Sequence, residues 1–183
     1  LQELDIPETV RFIGLQAFDN NSYLKSVTIP DSVTELGEDA FYSCISLETL
    51  IIGNGLVEIP AEAFADCNKL ASVTIGDSVE RIGDYAFQKY TSQSMTVNVG
   101  RSVREIGPKA FYGCAGKITF NGDVPDAEYG SPSDEWAWYA AFSELVLADG
   151  VETVGDYAFE RLSESLKKVH FGRGVKRVGE YAF

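Results

Sequence analysis

Histidine and methionine occur once each in the 183 residues, and cysteine three times. A single imidazole cannot build a His-rich metal centre, and no Ser or Asp stands at a triad spacing from His170. Three cysteines are too few for a disulfide scaffold and odd in number. No stretch reaches the ~20 apolar residues of a membrane-spanning helix. No N-terminal charged-then-apolar segment reads as a signal peptide; the chain opens at Leu1 and ends inside a repeat at Phe183 with no polar cap at either end, so it is expected to be an excerpt of a longer protein. Cations are scarce as well: 15 Lys and Arg face 28 Asp and Glu, a net charge of −13. Such a surface repels phosphate backbones and anionic membranes, so nucleic acid is excluded as a partner and membrane insertion of this segment is not expected. The remaining balance, 45% apolar and 23% charged, is that of one ordinary globular domain.

What is present is a repeat. Ala-Phe recurs at Phe18, Phe41, Phe64 and Phe87, each 23 residues after the last. It returns at Phe111, Phe142, Phe159 and Phe183, with one long and one short spacing that together equal two coils. The unit is clearest in LKSVTIPDSVTELGEDAF, from Leu24 to Phe41, and again from Leu70 to Phe87. Val27-Thr28-Ile29 alternates and reads as a short strand with one buried face. Its equivalents run from Leu4-Asp5-Ile6 to Val169-His170-Phe171, eight in all. Pro30-Asp31-Ser32 is turn chemistry. Gly37, Gly83, Gly107, Gly155 and Gly179 share a column, consistent with a bend that disfavours a Cβ. Ala40-Phe41 sits in a segment long enough for one helical or 3-10 turn on the side opposite the strands. No unit buries its own apolar residues; stacking does, with Phe on Phe.

The pattern Leu-x-x-Val-x-Ile-Pro-x-x-Val-x-x-Ile-Gly-x-x-Ala-Phe-x-x-Cys, carried by Leu24 to Cys44 with Cys67 and Cys114 in later coils, resembles the BspA-like leucine-rich repeats of bacterial surface proteins. The resemblance implies a leucine-rich-repeat solenoid over residues 1–183. This would be a right-handed, β-rich superhelix of about eight coils, with one parallel sheet and short helical or 3-10 turns opposite. It also implies a secreted or cell-surface location and a non-catalytic role in adhesion, to host matrix proteins such as fibronectin and fibrinogen or to other cells. The family motif contains no catalytic or cofactor-binding residues, so none carry over.

Candidate sites are then few. Cys44, Cys67 and Cys114 fall three residues after the repeat Phe, a slot that Asn21 and Tyr90 hold elsewhere, and read as buried free thiols rather than a disulfide or metal site. The turn column Glu8, Asp31, Asn54, Asp77, Arg101, Gly122, Asp149, Arg173 carries Arg where a calcium-binding β-roll keeps Asp. The outward strand positions Thr28, Ile51, Thr74, Asn98 and Thr119 form either an ordinary exposed strand face or a flat platform for an extracellular protein or glycan. An insertion at about 121–141 interrupts the array, with Val124 aligned to Val33 and the next Ala-Phe ten residues late. It holds Tyr129, Trp136, Trp138 and Tyr139, which either plug the irregular coil or anchor a ligand, including a sugar stacked on the tryptophans. At least two, Trp138 and a tyrosine, are expected to pack near Phe120 and Phe142, since four exposed rings would make an apolar patch that soluble monomers rarely carry.

Overall fold

The computed structural model describes residues 1–91, 93–127, 140–162 and 164–183. The chain winds as a parallel β-solenoid. Its main wall is a seven-stranded parallel sheet formed by Ser26–Ile29, Thr49–Ile52, Ser72–Thr74, Ser94–Val99, Ala115–Phe120, Ala141–Leu147 and Lys168–Phe171, each strand lying beside the one from the next coil. Register is strict: Val27 faces Leu50, then Val73, Val97, Ile118, Leu145 and Val169. The alternation of the triplet sets which face is buried. Val27 and Ile29 are sealed in the core while Ser26 and Thr28 face out. An eighth strand expected at Leu4-Asp5-Ile6 does not form; these residues are only partly covered by the single coil that packs on them.

A second wall is made of two-residue strands, such as Glu58–Ile59, Arg81–Ile82 and Glu105–Ile106, paired in parallel. Here the glycine column finds its reason. The bend expected at these glycines is a close approach instead: φ stays out of the left-handed region, and a Cβ on Gly83 would lie 2.7 Å from the Ala61 nitrogen of the preceding coil.

The third side carries hydrogen-bonded turns; among the described residues the one helical piece is a 3-10 segment at Glu160–Leu162. Its geometry rests on left-handed residues, of which Gly113 alone is glycine among those described. Gln16, Asp39, Glu62, Tyr85, Lys109, Tyr157 and Tyr181, each two residues before the Phe, have φ between 50° and 57°; Asn20, Ser43 and Asp66, two residues after, have φ between 54° and 60°. Alternating handedness turns every second peptide across the coil. Phe41 N–H donates to Ala63 O, Phe64 N–H to Ala86 O, and Ser43 N–H to Ala65 O, while the peptides between close local turns such as Tyr42 N–H to Asp39 O. Backbone hydrogen bonds thereby join neighbouring coils on all three sides.

Inside, Phe18, Phe41, Phe64, Phe87 and Phe111 stack with ring centroids 5.0, 5.4, 5.6 and 5.3 Å apart. The irregular coil then departs from the sequence alignment in two ways. Val124 bridges Val154, so it stands in the column of Ile82 and Ile106 rather than that of Val33; the coil reaches that column in fewer residues. Ala141-Phe142 is not a repeat turn but the start of a strand, with Phe142 in register with Gly116. Its ring still serves the column, edge-on to Phe111 at 6.0 Å, and Phe120 meets Phe159 in the same manner at 5.9 Å. Two rings supplied from strands thus bridge the gap between Phe111 and Phe159.

Candidate functional site

The outward row of the sheet is where the alternation places it. Thr28, Ile51, Thr74, Asn98, Thr119, Val146 and His170 are paired in register across the seven strands. Thr28 and Thr74 are exposed, Ile51 is 44% exposed, and Asn98 and Thr119 are half-buried. Beside it runs the row Ser26, Thr49, Ser72, Thr96. The first four strands therefore carry no charged side chain on these two rows, although the protein has a net charge of −13. Charge begins at Lys117. Glu144 lies 3.6 Å from Lys117 Nζ and 3.7 Å from His170 Nε2, so His170 is an exposed member of a small surface cluster.

One edge of this face is the turn column, and the structure gives that column a role the sequence reading missed. Asp31 Oδ1 accepts the backbone N–H of Asn54 at 2.6 Å, Asn54 Oδ1 that of Asp77 at 2.8 Å, Asp77 Oδ1 that of Arg101 at 3.1 Å, and Asp149 Oδ1 that of Arg173 at 2.8 Å. Each short side chain caps the next coil. Arg101 can stand in the column because the slot needs its N–H and not its side chain. The spacing of Asp and Asn at one slot was the available signal. Asp156 works likewise, accepting from Glu180 N–H at 2.9 Å and from Arg177 Nη2 at 2.6 Å, which holds its carboxyl below the usual range. Between the row of Thr28 and this ladder lies a trough of about 520 Å³.

The thiols are buried and unpaired. Cys44 Sγ donates to Phe18 O at 3.3 Å, Cys67 to Phe41 O at 3.3 Å, and Cys114 to Phe87 O at 3.2 Å, each reaching back one coil. Burial pushes the Cys114 thiol up to about 12, and the neighbouring Cys44 thiol together with burial pushes Cys67 up. In the coil between them Tyr90, three residues after the repeat Phe, does not turn inward as the cysteines do: it is 68% exposed and meets Tyr112 edge-on, while Lys89 is 1% exposed. Lys89 occupies the slot of Ser43 and Asp66 without their left-handed φ, so the chain turns inward one residue early. Its Nζ donates to Gln93 O at 2.6 Å and Leu70 O at 3.4 Å, and burial lowers its affinity for the proton.

Tyr129, Trp136, Trp138 and Tyr139 lie outside the described residues. Among the described residues no three His, Cys, Asp or Glu side chains are grouped to hold a metal ion, and no helix is long and apolar enough to cross a membrane.

A parallel solenoid with an in-register Phe stack and a capped turn column defines a leucine-rich-repeat protein. The chain belongs to the BspA-type family: the "BspA type Leucine rich repeat region" matches residues 1–117 and 133–183 in 6 copies. Among solved structures, the leucine-rich-repeat protein of T. pallidum is similar at 26% identity and a TM-score of 0.59, over 92% of this chain and 67% of that one. A leucine-rich-repeat protein from Eubacterium ventriosum shares the fold at 21% identity and a TM-score of 0.50, over 90% of this chain and 52% of its own length. The comparison with curated proteins returns no match.

Proposed function

We propose that the chain is a non-catalytic recognition module, displayed outside the cell or on its surface, that adheres to an extracellular protein or glycan through the outer face of its sheet. The observation that carries this reading is the uncharged row of Thr28, Ile51, Thr74 and Asn98, set in register on a rigid wall of a protein otherwise dense in carboxylates. Charged side chains hold water and repel a like-charged partner; a face without them is cheap to desolvate and, being sheet, loses little entropy on binding. Membership of the BspA-type family supports the same reading. The experiment places a charge on the face, as Thr28→Glu or Thr74→Lys, and measures retention of protein-coated beads on immobilised fibronectin, fibrinogen and whole bacterial cells. Retention is expected on one of these surfaces and lost in both variants, with unfolding temperatures unchanged. Equal retention by wild type and variants would place recognition elsewhere.

A further inference from the structure

We propose that the trough beside the outward row holds one extended chain of a neutral polysaccharide, lying along the solenoid axis. The inference rests on the reading that this face is the recognition surface, and it names the ligand. The trough crosses the strands, so its floor offers Thr28, Ile51, Thr74 and Asn98 from four successive coils. Neighbouring strands are about 4.8 Å apart, and a pyranose ring in an extended β-1,4-linked chain covers a comparable length. Each added ring therefore meets the side chain of the next coil, with alternate rings turned over.

The chemistry of the floor matches a sugar ring. A threonine hydroxyl and an asparagine amide both donate and accept, as sugar hydroxyls do. Ile51, 44% exposed, offers an apolar spot for the C–H face of a ring. The wall adds acceptors: Asp31 uses only Oδ1 in the capping ladder. A polyanionic chain is repelled by the protein's net charge of −13. Along the wall, Asp77 is already engaged by Arg101 Nε at 2.9 Å, which lessens the pull on a polycation. A protein partner would look for an apolar, aromatic centre; no residue lining the trough is aromatic, and of its apolar side chains, Ile29, Pro30, Ile51, Ile52 and Ile75, Ile51 alone stands exposed.

Calorimetric titration with β-1,4-linked glucose oligomers of increasing length tests the proposal. Binding is expected to tighten stepwise with each ring until the trough is full, and to be about tenfold weaker or lost for a uronate oligomer of equal length. Thr74→Lys, at an exposed residue, and Asn98→Ala, at a half-buried one, should each weaken the longest oligomer by about tenfold while leaving the unfolding temperature in place. No binding at millimolar sugar, affinity independent of length, or uronate bound as well as glucan would overturn it. Bead retention that is lost in the face variants while glucan fails to bind would sink this inference alone and leave the recognition surface standing.

Discussion

Phe64 has a phenylalanine ring stacked on each face, 5.4 Å and 5.6 Å away, and no exposed surface. Truncating it leaves a hole that neighbouring coils, each pinned by backbone bonds on three sides, cannot close. Phe64→Ala is expected to cost about 3–5 kcal/mol, read from urea unfolding. The thiols behave in the opposite manner, with little packing volume but a strong pH signature. Burial pushes the Cys114 thiol from its ordinary 9.0 up to about 12. A raised folded value means that the stability is complete below pH 9 and drains away as pH rises towards 12, because the unfolded chain gives up the proton first. Wild type should therefore lose about 1.4 kcal/mol per pH unit in that window beyond what Cys114→Ala loses. At neutral pH a thiol reagent should find nothing in the native protein and all three thiols after denaturation. These residues were legible because a column of Phe and Cys at fixed spacing has only one use, a shared interior. Lys89 was not, since a lysine next to Tyr90 gives no sign of which of the two turns inward; backbone handedness decides it.

Among the elements, the strands were readable from Val-Thr-Ile alternation, which is tied to the pleat. The turn side was not, and the physical reason is specific. Its left-handed positions are filled by Gln16, Asp39, Glu62, Tyr85 and Lys109, residues with no shared preference for that conformation. Each carries a local cost that the bond across to the next coil offsets, so only the stacked structure explains them. The capping ladder sat between these extremes: the Asp and Asn were visible, their purpose was not. The ladder predicts a sharp asymmetry at Asn54. Asn54→Asp keeps an oxygen for the Asp77 N–H and should be nearly neutral in thermal unfolding, while Asn54→Ala should lower stability by about 1 kcal/mol. Equal losses would mean that the slot is chosen for turn propensity and not for the cap.

For the whole molecule, charge and ion pairing pull in opposite directions, and their magnitudes fix the outcome. The exposed pairs, such as Arg81 with Glu58 at 3.2 Å and Lys176 with Glu152 at 2.9 Å, are each worth about 0–1 kcal/mol and are weakened by salt. A net charge of −13 repels itself over the entire surface. Self-repulsion outweighs the pairs, so raising salt from about 0.01 M to 0.15 M, which shortens the screening length from about 30 to 8 Å, should raise the unfolding temperature. A fall would show that the pairs dominate. At this scale the sequence announced a repeat array and an interruption, but misaligned the interruption, because counting Ala-Phe cannot distinguish a turn from a strand that begins with the same two residues.

The turn side also has a direction. Among the described residues its crossing amides, from Gln16 to Phe159, donate towards the coil of higher number. On this side each finished coil therefore ends as a row of waiting N–H groups, and the following coil arrives with the carbonyls that fill it. A ribosome releases the chain in that same order. Every newly emerged coil of 23 residues can be templated at once by the one before it, without waiting for a distant partner. On the turn side a chain paused at any coil would present N–H groups at its newest edge, while its second wall, where Gly83 N–H donates back to Ile59 O, would present carbonyls.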